Sequence, residues 1–414
     1  MNRLSMLASG LLVMAAGTAT GEPTAPPSPS YRTLVVIGDT QSLAFPETVH
    51  ILREQIDWIR AHKNDENIDF VLQVGDLIED GNAANSGGYR TNCGPTRSEC
   101  SGNIPDVGPH AACRLSPGEG IVSPLPCGCY VERPGPRGYS CAATGRDVDA
   151  QWKRIKSEFD RLTGEVPYAV TSGNHDNPSP ATLGKQPKAS AQPRGYTDYF
   201  PLALYRDQQE RFKDSPHALR VLEESPAGEG SYALQFTLGT RQVLLVALAD
   251  GGIAATLRRV AWAKEILTRY HDLPAIVLSH RYLWPPTQVP GASQIWDGLI
   301  QPVPGRPGPF AGQIFMTVSG HLDTDAKQIL DIGGGHRLIQ VWFDQQVNAP
   351  PVPPPVPTLP QAGYMAAIRF DLSGSKISSV TISATENKIL PYAPDAIGGF
   401  AHFKNVPFTV PSPP

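Results

Sequence analysis

Five short segments carry residue types that could hold metal ions or move protons. They are Gly38-Asp39-Thr40-Gln41, Gly75-Asp76, Gly173-Asn174-His175-Asp176, His280, and Gly320-His321-Leu322-Asp323. Carboxylate, imidazole and amide groups are the usual donors to divalent cations. A His beside an Asp can also exchange a proton with a bound molecule. Taken singly, each segment has an ordinary reading. An Asp after a strand is commonly a turn residue, a lone His is commonly hydrogen-bonded surface or core, and Asn-His-Asp can be a left-handed loop. What points to chemistry is that five such segments recur in order.

Each segment follows a short apolar run. The runs are Leu34-Val35-Val36-Ile37, Phe70-Val71-Leu72-Gln73-Val74, Tyr168-Ala169-Val170-Thr171-Ser172, Ala275-Ile276-Val277-Leu278-Ser279 and Ile314-Phe315-Met316-Thr317-Val318-Ser319. Their length and their β-branched and aromatic content predict buried strands. Helical spacing lies between them, at Val49, Leu52, Ile56 and Ile59, at Trp152, Ile155, Phe159 and Leu162, and from Ala261 to Tyr270. Alternating strand and helix predicts α/β layering. Three further strand-like runs, at 337–343, 364–372 and 376–382, predict a second, more antiparallel sheet packed on the first. In open α/β sheets, ligands gather outside the carboxyl ends of the strands, and all five polar segments sit at such ends.

The ordered set of segments resembles the calcineurin-like metallophosphoesterases, in a branch with an Asp-x-Gln first motif and a Gly-His-x-Asp last motif. The likeness runs over roughly residues 31–390. It includes Asp149-Ala150-Gln151-Trp152, Val166-Pro167-Tyr168, Tyr199-Phe200, the strand pair within 231–250, and the region of Gln345 and Gly363-Tyr364. The resemblance implies an α/β fold in which two mixed β-sheets pack as a sandwich flanked by helices, with two divalent metal ions on the upper edge. It implies a first metal site of Asp39, Gln41, Asp76 and Asp323, and a second of Asp76, Asn174, His280 and His321, with Asp76 bridging. A hydroxide bridging the two ions would attack phosphorus. His175 would protonate the leaving oxygen as general acid or steady the phosphate, with Asp176 setting its tautomer, and Asn174 would contact the substrate. Arg281, next to His280, is read either as a phosphate contact or as an ordinary surface Arg.

Two positions depart from the commonest family pattern. Gln41 and Asp323 stand where His residues are usual, and both changes fall on the first site. That site is then entirely oxygen-donating, which favours Mn²⁺, Mg²⁺ or Ca²⁺, whereas Mn, Fe or Zn suits the second. Three carboxylates facing two dications leave a single positive charge, so the water should be less acidic and activity should need added Mn²⁺ or Mg²⁺ at neutral to alkaline pH. The alternative from another class is a non-catalytic phosphate- or glycan-binding surface protein on a degenerate version of the fold.

The remaining sequence sets the context. Of 414 residues, 40% are hydrophobic, which is enough for a core; 42 are Pro and 39 Gly, which implies long irregular loops. A net charge of −4 argues against general nucleic-acid binding. The start, Met1-Asn2-Arg3 followed by an apolar run to Gly17 and small residues to Gly21, reads as a signal peptide over 1–21, and 22–30 reads as a linker. The run is short for a transmembrane span, so the chain is expected to be secreted or periplasmic. The oligomeric state is left open. The metallophosphoesterase domain is expected over 31–390, and a Gly/Pro-rich extension over 391–414. No Walker loop, G-x-S-x-G elbow or dinucleotide fingerprint is present.

All six Cys lie between Cys93 and Cys141, within an insertion spanning 82–146. In an exported chain they are expected to form disulfides, with 15 pairings possible. The insertion is read either as a stabilising loop or as a lid that selects among small-molecule and macromolecular phosphate esters. Deleting 84–145 should broaden the range of esters hydrolysed. An unchanged substrate profile in a folded deletion variant would reject the lid.

Overall fold

A computed structural model describes residues 31–46, 48–78, 148–176, 195–226, 230–251, 253–282, 294–300, 307–321, 324–344, 363–373, 375–390, 405–408 and 410. The expected leader, linker and cysteine-bearing insertion lie outside these residues, as does Asp323. Two mixed sheets stack face to face, with helices on their outer faces. In the first sheet, β1 (Tyr31–Ile37), β2 (Ile68–Gln73) and β3 (Tyr168–Val170) run parallel, and β1 pairs antiparallel with β11 (Tyr364–Asp371). Beyond β11 come β12 (Lys376–Ser383) and β13 (Lys388–Leu390), and β14 (Val406–Pro407) also pairs with β12.

The second sheet has the order β4 (Leu219–Glu224), β5 (Tyr232–Leu238), β6 (Arg241–Leu248), β7 (Ala275–Ser279), β8 (Ile314–Ser319), β10 (Arg337–Asp344) and β9 (Thr324–Asp331). The strands β6, β7, β8 and β10 are parallel, and antiparallel pairs close both edges. Parallel strands fill the middle of the second sheet and one side of the first, where β3 is the edge, and their faces are covered by the opposite sheet and by helices. That is why their sequences read as continuous apolar runs instead of alternating ones.

Strand alternation divides the core into layers. Leu34, Val36, Phe70 and Leu72 of the first sheet meet Phe236, Leu245, Leu278 and Val318 of the second. Their neighbours Val35, Ile37 and Val71 face outward onto α1 (Val49–His62) and α2 (Val148–Asp160), through Leu52, Ile56, Trp152 and Phe159. On the far side, Leu244, Val246 and Val277 meet α5 (Ile253–Arg269) through Val260, Ala263, Ile266 and Leu267. The apolar positions of these helices recur at three- and four-residue steps, which gives each one buried stripe. Phe408 and Val410, from the chain's last segment, are buried between the sheets. Among the described residues, no helix is long and apolar enough to cross a membrane.

Two polar devices fix the layers. The fully buried Asp69 accepts from Arg32 Nε at 2.9 Å and from the Gly239 N–H at 2.7 Å, and His217 Nδ1 lies 3.2 Å from it. It thus joins β1 and β2 to the β5–β6 turn of the opposite sheet. The second device is a knot of phenols at the end of β3. Tyr196 and Tyr205, from α3 (Tyr196–Tyr199) and α4 (Leu202–Phe212), donate to the Val170 carbonyl at 2.8 and 3.3 Å, and Tyr232 of β5 also donates to it. This holds the strand end from which the Gly173–Asp176 loop departs.

Burial opposes the charge of Asp69, but His217, Arg32 and the Gly239 amide outweigh it and hold the carboxyl below its usual range. A depressed folded value means the stabilisation is present above the unfolded pKa and is lost as pH falls through the folded one. Asp69→Asn should cost about 2–3 kcal/mol in urea unfolding at pH 7. That difference should shrink below roughly pH 4. A constant difference across this range would remove the ionic part of the assignment.

Candidate metal centre

The loops after β1, β2, β3, β7 and β8 emerge at one edge of the sandwich, and hydrogen bonds tie them together. The Thr40 N–H donates to the Asp76 carbonyl at 2.9 Å, and the His175 N–H donates to Asp76 Oδ1 at 2.8 Å. The Gly320 N–H donates to the His280 carbonyl, and the His321 N–H to Asp39 Oδ2, both at 3.1 Å. Close approach depends on small residues. A Cβ on Gly173 would sit 2.0 Å from Asp76 Oδ1, and one on Gly320 would sit 2.1 Å from Asp39 Oδ1. Asp76 (φ 47°) and His321 (φ 81°) adopt positive φ, which is rare for non-glycine residues and tends to occur at sites held by their surroundings.

His280 lies at the centre of the arrangement and is fully buried. Its Nδ1 is 3.1 Å from the Val74 carbonyl, which can only accept, so Nδ1 carries the proton. In the neutral ring, Nε2 then presents a lone pair. Around it stand Asn174 Oδ1 at 3.0 Å, His321 Nδ1 at 3.1 Å and Asp76 Oδ2 at 3.2 Å. Ligand atoms of Asp76, His280 and His321 all lie within 4.8 Å of one another, a cluster that could hold a metal ion. Four electron-rich atoms turned toward one point need either a shared proton or a cation. A backbone carbonyl that orients a ligating His through its other ring nitrogen is common at metal sites.

The residues expected at the first site are only partly together. Asp39 is buried, with Oδ1 3.7 Å from His280 Nδ1. Gln41 is half-buried, and its Oε1 is buried without a hydrogen-bond partner among the described residues. Asp323 lies outside the described residues, so its place in the set rests on the sequence. Asp344, at the end of β10, was unmarked in the sequence. It is buried and hydrogen-bonded to the Asp39 carboxyl. The signal was available, because Asp344 also ends an apolar strand, but no Gly or Ser introduces it.

Asp176 has a different task from the one read in the sequence, where it sets the His175 tautomer. Its Oδ1 accepts from the Leu77 and Ile78 N–H groups at 2.7 and 3.0 Å, and its Oδ2 from the Gly173 N–H at 2.7 Å. It is fully buried and fastens the loops of Asp76 and Asn174 to each other. Arg281 forms a two-pronged pair with Asp250, from Nε and Nη2, each at 2.6 Å. Asp250 was also unmarked in the sequence; its own N–H donates to the Ser172 carbonyl and hydroxyl at 3.1 Å. Tyr282 and Trp296 are buried in the outer core.

Charge is unevenly shared. Burial, then Asp344 and Asp76, pushes Asp39 well above the carboxylate range. Burial and then Asp76 raise Asp176 to about 7. Asp76 itself stays below its ordinary value, because His280 and His175 outweigh the burial that opposes its charge. For His280, Asp76 outweighs burial and raises the pKa. His321 is lowered to about 4 by burial, then by His280 and Arg281.

These shifts predict a pH dependence. With Asp39 and Asp176 raised, the folded chain binds more protons than the unfolded chain from the ordinary carboxylate range up through the folded value of about 7 for Asp176, so stability falls as pH rises through that interval. Between about pH 4 and 6.5 the lowered His321 acts in the opposite sense. Chelator-treated protein should therefore lose several degrees of Tm from roughly pH 6.5 to 8.5. Saturating Mn²⁺ should restore it, with a larger gain at the higher pH. Equal gains at both pH values would contradict a cation binding among these carboxylates.

No protein-family model and no curated protein matches the sequence. Among solved structures, the chain is similar to GAP50, the anchor in the inner membrane complex of Plasmodium, at 9% identity and TM-score 0.39, covering 91% of each chain. It is also similar to TT1561 of Thermus thermophilus, at 8% identity and TM-score 0.35, covering 84% of this chain and 98% of the other. Likeness this loose identifies neither family nor activity, and the centre stands on its own geometry.

Proposed function

We propose that the chain is an exported, metal-dependent hydrolase of phosphate esters. The carrying observation is the convergence of Asn174 Oδ1, Asp76 Oδ2 and His321 Nδ1 on His280 Nε2, whose opposite ring nitrogen is occupied by the Val74 carbonyl. The ordered motifs of the sequence support the same reading. Two imidazoles, one amide oxygen and one carboxylate would hold one divalent cation. Asp39, Gln41 and Asp323 would hold a second, with Asp76 contributing to both, and oxygen donors there suit Mn²⁺ or Mg²⁺. Bound in this way, the cations would supply positive charge against the phosphoryl oxygens and acidify a water.

The protein's own groups do the rest. Asp176, by holding the two loops together, keeps Asp76 and Asn174 at fixed separation. The backbone bond from His175 to Asp76 sets that residue at the lip of the centre, where its ring protonates the departing oxygen. Asp250 occupies Nε and one Nη2 hydrogen of Arg281, which leaves the Nη1 hydrogens to donate to phosphoryl oxygens. The basic start and apolar run of the sequence support export. The binder alternative draws on the two departures at the first site, Gln41 and Asp323.

Hydrolysis of p-nitrophenyl phosphate and its bis-ester with Mn²⁺ separates the readings. Asp76→Asn and His280→Ala should each lower kcat/KM by at least about 100-fold. Wild type no faster than these variants would favour a non-catalytic binder. His175→Ala should slow alkyl phosphates by about 10²–10⁴-fold. The nitrophenyl ester should suffer much less, because its leaving group needs no proton. An equal loss on both substrates would remove the general-acid role.

A further inference from the structure

Beside the candidate metal centre lies a second cavity, of about 250 Å³. It opens between the ends of β6 and β7 and the start of α5. Ser279 and Arg281, which flank His280 in the chain, are both in its wall, so the cavity and the centre share a rim. The wall carries two guanidinium groups (Arg259, Arg281), one carboxylate (Asp250), two hydroxyls (Thr256, Ser279) and one amide (Gln294). Leu248, Ala249 and Ile295 supply apolar surface between them.

The polar groups are held in place. Arg259 is only 6% exposed and donates through Nη1 to the Ala249 carbonyl. The position of its head depends on Gly251, because a Cβ there would sit 2.5 Å from Nη1. Thr256 Oγ1 donates to the Gly251 carbonyl at 3.3 Å. Asp250 and Arg281 fix each other, and Arg281 keeps hydrogens on Nη1 for a second partner.

We propose that this cavity receives the alcohol part of the substrate, and that the alcohol is a small sugar or polyol. The inference rests on the phosphoesterase reading of the neighbouring centre and names its substrate class. Three observations carry it. The volume equals that of about eight waters at roughly 30 Å³ each, which suits one sugar ring and excludes a long acyl chain. An apolar occupant would strip water from Asp250 and Gln294 without replacing its hydrogen bonds, which opposes its binding. A hydroxyl-rich occupant can both donate to the carboxylate and amide oxygen and accept from the Arg281 guanidinium. Arg281, on the shared rim, would contact the phosphoryl group while Asp250 holds its other edge.

The test is equilibrium binding to Mn²⁺-loaded full-length protein by calorimetry. The probes are inorganic phosphate, the non-hydrolysable phosphonate analogue of ribose 5-phosphate, and hexylphosphonate. The sugar phosphonate should bind at least tenfold more tightly than inorganic phosphate, and hexylphosphonate should show no such gain. Thr256→Phe fills the cavity from the helix side and should bring the sugar-to-phosphate affinity ratio close to one. Gln294→Trp fills it from the opposite wall and should do the same, which guards against one variant failing to fold. Hexylphosphonate gaining as much as the sugar, or the ratio surviving in a folded filling variant, overturns the inference and leaves the phosphoesterase reading standing. Failure of inorganic phosphate to bind the wild type overturns that reading, and the inference with it.

Discussion

The governing constraint is the meeting of like-charged and lone-pair-bearing atoms around a fully buried imidazole. His280 Nε2 faces a carboxylate, an amide oxygen and a second imidazole, and Asp39 faces Asp344. Such groups repel one another when desolvated, and a low-dielectric site magnifies the repulsion. Something must hold them, and the surrounding fold supplies it. Backbone amides bind Asp176 and Asp39, glycines permit the close approach, and two ligand candidates sit in positive-φ backbone. Local instability of this kind is the usual companion of a functional centre.

The architecture explains how a chain can build that place. Strands of the first sheet deliver Asp39, Asp76 and Asn174, and strands of the second deliver His280, His321 and Asp344. Each set stands at the carboxyl ends of parallel strands, where the sheet stops and its last residues turn outward. Antiparallel strands extend each sheet beside the parallel ones, and β11 and β12 bury Phe370 and Ile377 against the inner core. The metal-ligand candidates therefore straddle the seam between two layers, and both layers must be in register for the four atoms around His280 to meet.

Much of this was legible in the sequence. Apolar runs ending in Asp39, Asp76, Asn174, His280 and His321 announce strand ends, because a buried parallel strand needs continuous hydrophobicity and its end needs a polar exit. The layering follows from alternation, as with Leu34 and Val36 on one face and Val35 and Ile37 on the other. Pairings across distant chain segments were not legible. Asp344 lacks the Gly or Ser that introduces the other segments, and nothing local links it to Asp39. Asp69 sits inside a strand run and looks like an interruption until Arg32, His217 and Gly239 surround it. Asp176 follows His175 and so invites a partnership with that ring, whereas its hydrogen bonds reach back to Leu77 and Ile78, about a hundred positions earlier. Arg281 and Asp250 come together through the parallel pairing of β6 and β7, which spacing alone does not fix.

The Asp69 bridge has a mechanical consequence. It lies at the opposite end of β2 from Asp76, and it fastens the first sheet to the β5–β6 turn of the second. The sandwich is thus riveted at its foot while its upper lip carries the candidate ligands from both sheets. A cation gripped at that lip would be the second fastening, turning two plates hinged at one end into a closed frame, so that rigidity near the top would be borrowed from the ion instead of from apolar packing.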